Sequence, residues 1–82
     1  MRAKAKTKKS NLCGKQVKMA RVEREMQQVE LAAALAVDCG IEMNQSMISA
    51  IERRQRKVSD VELDALSKVL GKSVQWLMYG EK

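Results

Sequence analysis

The sequence predicts an all-α fold of five helices, and three observations carry that expectation. Strand formers are scarce: there is no Phe, the only aromatic residues are Trp76 and Tyr79, and Ala, Leu, Met, Glu, Gln, Lys and Arg abound. Apolar residues recur at helical intervals, as in Leu31, Leu35 and Cys39 and again in Leu63, Leu66, Val69 and Leu70. Helix stops at Gly40, Gly71 and Gly80 separate these stretches, with Asn44, Ser59 and Ser73 placed as starts.

Eighty-two residues suit one small domain with a modest core. Sixteen Lys and Arg against ten Asp and Glu give a net charge of +6. That balance fits a polyanion, either nucleic acid or an anionic membrane surface; it also fits a role in solubility alone. No apolar run approaches a membrane span, and the charged N-terminus lacks the apolar segment of a secretion signal. No membrane partner is therefore expected, and a cytoplasmic location is. Cys13 and Cys39 are expected to be reduced and partly buried. With no His and no CxxC, the chain offers too few ligands for a zinc site, so neither metal nor cofactor is expected. No Ser-, Cys- or carboxylate-based constellation stands out, which argues against an enzyme.

Residues 1–11, MRAKAKTKKSN, carry five basic residues and no acidic one. Without a hydrophobic face they should form a disordered arm in isolation. Such an arm can follow phosphates, enter a minor groove, or remain a solvated tail. The folded domain is expected over residues 12–79. Helix 1 is placed from Leu12 to about Glu25 with Asn11 as its N-cap. Leu12, Val17, Ala20 and Met26 are expected to point inward. Gly14 is out of place in a helix unless another element packs closely there. Helix 2 is placed over Gln27–Cys39, with Leu31, Leu35 and Cys39 on one apolar face flanked by Ala32. Helix 3 runs from Asn44 to about Arg53. Helix 4 opens with the capping box Ser59-Asp60-Val61-Glu62 and ends at Gly71. Ser73 caps a short fifth helix, VQWLMY.

Helix 3 has the most informative surface. At roughly 100° per residue, Met47, Ile48 and Ile51 share one side, with Gln45, Ser46, Ser49, Ala50 and Arg53 opposite. Uncharged Gln and Ser with a small Ala between them allow close approach to an edge of donors and acceptors. Gln can bond adenine N6 and N7 together, and Ser can serve several bases. Arg53, Arg54, Arg56 and Lys57 follow and can sit on phosphates beside the groove. Helices 2 and 3 with their short turn then form a helix-turn-helix. A helical bundle with a solvated basic loop is the plainer alternative.

Several motifs in order resemble the phage repressor/Cro-type (xenobiotic-response-element) helix-turn-helix family. They are Gly14-x-x-Val17-x-x-x-Arg21, MQQVELA (26–32), NQSMISAIE (44–52) and VSDVELDALSKVLGKSVQWLM (58–78). The resemblance covers about residues 12–79 and implies a five-helix, lambda-repressor-like DNA-binding domain with helix 3 in the major groove. It implies base contacts from Gln45, Ser46, Ser49 and Ala50, and a phosphate contact from Gln28 at the start of helix 2. The backbone-facing set is then Gln27, Gln28, Asn44, Arg53, Arg54, Arg56 and Lys57. An ion pair between Arg21 and Glu52 is also implied. Two departures stand out. Helix 2 gains about one turn (AVDC) and the following turn, GIEM, is longer, which leaves the angle between helices 2 and 3 open. Arg54 occupies a position where the family usually has Gly and where φ is often positive, so either the helix ends differently or Arg54 tolerates strain to meet DNA.

The function expected is a sequence-specific transcriptional regulator, a phage or prophage type repressor acting on double-stranded DNA at a palindromic operator in a bacterial cell. Trp76, Leu77 and Tyr79 either close the core or contribute a homodimer contact. No small-molecule effector is evident. The alternative is an antitoxin-like or other protein-interaction module that also binds DNA, although no toxin-binding segment is expected after the last helix. A third class is non-specific binding to a membrane or RNA through the basic arm.

Overall fold

The computed structural model describes residues 9–80, so residues 1–8 of the expected arm lie outside the described residues. Five helices follow one another: α1 (Gly14–Glu23), α2 (Gln28–Cys39), α3 (Gln45–Glu52), α4 (Asp60–Leu70) and α5 (Val74–Tyr79). Among the described residues there is no strand. α2 packs on α3 and α4, α1 lies across α3, α4 and α5, and α4 also meets α5. Val17 and Ala20 from α1, Leu31 and Leu35 from α2, Ile48 and Ile51 from α3, Leu66 and Leu70 from α4 and Leu77 from α5 form one buried core. Each helix buries a single face, so the core holds only if all five assemble.

The expected boundaries of α1 need correction at both ends. Leu12 is half exposed rather than inward-facing, because the helix begins at Gly14. Asn11 still satisfies a first-turn donor, its Oδ1 accepting from the Gly14 N–H at 2.8 Å. At the other end the chain turns out of the helix at Glu25, whose φ is +57°. There the Met26 N–H donates to Arg21 O and the Glu25 N–H to Val22 O, a Schellman closure with glutamate where glycine is usual. α3 ends the same way on Arg54, with φ +62° and the Gln55 N–H on Ala50 O. α2 extends through Cys39, which rests against the Ala65 carbonyl, so the added turn keeps the apolar phase expected of it. The thiol of Cys13 is fully buried, and that desolvation pushes its pKa up, as befits an inert core residue.

Gly14 explains itself once α1 and α3 are packed. A Cβ there would run into the Ile51 carbonyl oxygen and stand 2.7 Å from Arg54 Cγ. Alanine is the better helix former by about 1 kcal/mol, yet the obstruction is backbone and cannot rotate away. Gly14→Ala is therefore expected to lower stability, because overpacking costs about 1–3 kcal/mol. The midpoint of urea unfolding checks this, and a rise in midpoint would mean that α1 does not sit against the end of α3.

Candidate nucleic-acid interface

α3 is positioned from both ends and from below. Asn44 stands at its N-cap, with Oδ1 accepting from the Met47 N–H at 2.9 Å. Ile48 and Ile51 are fully buried, and Met47 is half-buried beside them. That anchoring turns the opposite side outward. Gln45, Ser46 and Arg53 are exposed, and Ser49 and Ala50 are half-buried between them. The face read from the helical wheel is thus the face the fold presents.

A chain of polar side chains ties this surface to the interior. Arg21 and Glu52 meet in a two-point ion pair, Nε to Oε2 at 2.6 Å and Nη2 to Oε1 at 3.1 Å. Their side chains are only 11% and 3% exposed. A third donor of Arg21, Nη1, reaches the Met26 carbonyl at 2.7 Å. Glu52 Oε1 also accepts from Gln28 Nε2 at 3.0 Å. Gln28 Oε1 in turn accepts from Gln45 Nε2 at 3.4 Å. The amide of Gln28 is therefore engaged on both sides, between the carboxylate at the end of α3 and the first residue of that helix. Gln27, at the N-cap of α2, is exposed, and its N–H is taken by Glu30 Oε1 at 2.6 Å. Glu30, three residues after the N-cap, supplies the carboxylate half of a capping box, but Gln27 is not one of the short polar residues that complete the signal in a sequence.

The basic run after α3 divides into two pairs. Arg53 and Lys57 are exposed, and among the described residues neither makes an ion pair. Arg53 Nε lies 3.3 Å from its own helix at Ser49 O. Arg54 and Arg56 are half-buried and engaged. Arg54 Nε donates to Asn11 O at 3.1 Å. Arg56 grips Glu62 with both terminal nitrogens, at 3.0 and 3.2 Å. Those bonds hold the Glu62 carboxyl below the usual carboxylate range and raise the guanidinium pKa.

Asn11 is the residue whose place here was not anticipated. Besides capping Gly14, its Nδ2 donates to Ile51 O at 3.2 Å and to Arg56 O at 2.7 Å. Beside it the Ser10 N–H donates to Arg54 O at 3.0 Å. All these acceptors are backbone carbonyls some forty residues away, and no local pattern marks them.

At the far end of the chain, Leu77 is fully buried and closes the core, which removes it from any surface contact. Tyr79 is well exposed, and Trp76 is half-buried with Lys72 Nζ 4.7 Å above its ring. Among the described residues no cluster of three His, Cys, Asp or Glu could hold a metal ion, and no helix is long and apolar enough to cross a membrane.

Comparison with known proteins adds two findings. The model of a family described as helix-turn-helix matches residues 17–77. A solved structure of the P22 c2 repressor protein, in complex with synthetic operator 9T in the presence of Tl+, is similar to this chain. The two share 28% identity and a TM-score of 0.67, over 87% of this chain and 98% of that one. No curated protein matches.

Proposed function

The chain belongs to the phage repressor/Cro-type helix-turn-helix family, and from that premise we propose that it is a DNA-binding repressor reading the major groove of a palindromic operator with α3. Proteins of this family are DNA-binding regulators rather than enzymes. The observation that carries the reading is the outer face of α3. Gln45 projects from its first turn, steadied by Gln28 at 3.4 Å, with Ser46, Ser49 and Ala50 beside it. A surface that served only solubility would be better furnished with Lys and Glu. This one offers uncharged donors and acceptors on a helix narrow enough for the groove.

Gripping falls chiefly to Arg53 and Lys57, which stay exposed next to that face, while Arg54 and Arg56 hold the loop that carries them. The half-buried Gln28 serves first to orient Gln45. The similarity to a repressor solved with operator DNA supports this arrangement.

One recognition helix per chain reads one half-site, and a palindrome then calls for two copies. Exposed Tyr79 and half-buried Trp76 are the residues offered for that contact. Selection from a random duplex library is expected to return an inverted repeat with half-sites about 34 Å apart or a multiple of it. Binding to the pair should be tighter than to either half alone. Recovery of a single half-site, with no gain from a second inverted copy, would remove the dimer from this reading.

A further inference from the structure

We propose that Asn11 is the positioning residue for the phosphate-binding run, acting through the backbone of the loop that follows α3. This rests on the DNA-binding reading above and extends it to a residue outside the matched segment 17–77. The loop between α3 and α4 has to present Arg53 and Lys57 at fixed places, yet it starts from an unfavourable conformation. Arg54 sits at φ +62°, in the left-handed region that is uncommon for a residue with a Cβ.

The closing bond of α3, from the Gln55 N–H to Ala50 O, sets that turn, and segment 10–11 ties it to the stretch before α1. The Ser10 N–H donates to Arg54 O, and Asn11 O accepts from Arg54 Nε, so the two stretches clasp each other in both directions. The side chain of Asn11 then closes the rest. Its two amide hydrogens go to Ile51 O in the last turn of α3 and to Arg56 O in the middle of the run. Its oxygen takes the first free N–H of α1. One side chain thereby fixes three elements, and the carbonyls it binds bracket Arg53, the second of them one residue before Lys57. Arg56 secures the same loop from the other side through Glu62. Asn11 itself is half-buried, with its side-chain amide engaged by Ile51 O, Arg56 O and the Gly14 N–H.

Only an amide suits this place. Asn11→Asp keeps the acceptor for Gly14 but sets a carboxylate against two carbonyls. Asn11→Ala removes all three bonds. The test is a set of binding curves at several salt concentrations for wild type, Asn11→Asp, Asn11→Ser, Asn11→Ala and Ser10→Pro. Each is run on the selected operator and on random duplex, with active protein titrated first. Each phosphate contact contributes roughly 0.9 to the slope of log affinity against log salt. The Asn11 variants are expected to lose affinity for both duplexes alike, with the slope lowered by roughly one to two, for one or both of the contacts of Arg53 and Lys57, and the order of base preference unchanged. A loss of folded protein alone would change the active fraction and leave the slope as it was. Ser10→Pro deletes the N–H bonded to Arg54 without touching the Asn11 side chain, and it should lower the slope in the same direction. Should Asn11→Ala not fold, Asn11→Asp, which keeps the bond to the Gly14 N–H, and Asn11→Ser, which keeps an acceptor but loses the two donors, carry the test. Slopes equal to wild type overturn the role of Asn11 while DNA binding stands. A wild-type protein whose binding does not respond to salt overturns the DNA-binding reading itself.

Discussion

Replacing Glu52 with alanine is expected to destabilise the protein by about 3–5 kcal/mol, the loss typical when one member of a buried pair is removed. The carboxylate is almost completely enclosed and accepts three hydrogen bonds, two from Arg21 and one from Gln28. Deleting it leaves the Arg21 guanidinium inside the domain with only the Met26 carbonyl as partner. The cost arises mainly from that stranded charge and only in part from the attraction lost, because bringing both groups out of water had already opposed most of the Coulomb gain. Arg21→Ala should be costly for the mirror-image reason, leaving Glu52 with Gln28 alone. The double variant should then lose less than the two single losses added together, since no charge remains unmatched. Thermal melting of the three variants tests this, with a shift of about 4–8 °C for each kcal/mol at this chain length. An unchanged melting temperature for Glu52→Ala would reject the pair as a structural element.

The same residues mark where the sequence was informative. α4 could be read almost completely, because its capping box, its Leu spacing and its closing glycine are all local signals. The Ser59 hydroxyl and the Glu62 carboxylate do bond each other's backbone as that box requires. The buried and outward faces of α3 were likewise legible, since an eight-residue helix with two isoleucines three apart leaves little choice of orientation. The Arg21–Glu52 pair came from resemblance, and its geometry agrees with it.

What could not be read involves choices among several possible partners. Four cations in the run 53–57 look alike in the sequence. The fold engages Arg54 with Asn11 and Arg56 with Glu62, and it leaves Arg53 and Lys57 outward. Leu77 and Tyr79 are two positions apart on one short helix, and only the packing of α5 on α1 and α4 assigns the first to the core and the second to solvent. The early end of α1 escaped because its stop is a glutamate in the left-handed region, where a sequence reader looks for glycine.

Under the proposed function, reading and gripping should come apart in a single experiment. Gln45 lies in the first turn of α3 with its amide nitrogen on Gln28. The side chain is exposed, and a base edge that meets both ends of the amide can replace the long Gln28 bond with better ones. Losing such a contact should cost about 1–3 kcal/mol on the preferred operator and relax preference at one base pair. Lys57 lies beyond the helix, exposed, on the loop held by Asn11 and Arg56. A lysine there offers a point charge with no directional code, so Lys57→Ala should weaken every duplex about equally and lower the salt slope by roughly one. Gln45→Ala should leave that slope unchanged, because no charge is removed. Binding curves over several salt concentrations, on the selected operator and its single-base variants, measure both quantities for both proteins. Should Gln45→Ala weaken all duplexes alike, or Lys57→Ala alter base preference, α3 does not lie in the major groove in the orientation proposed.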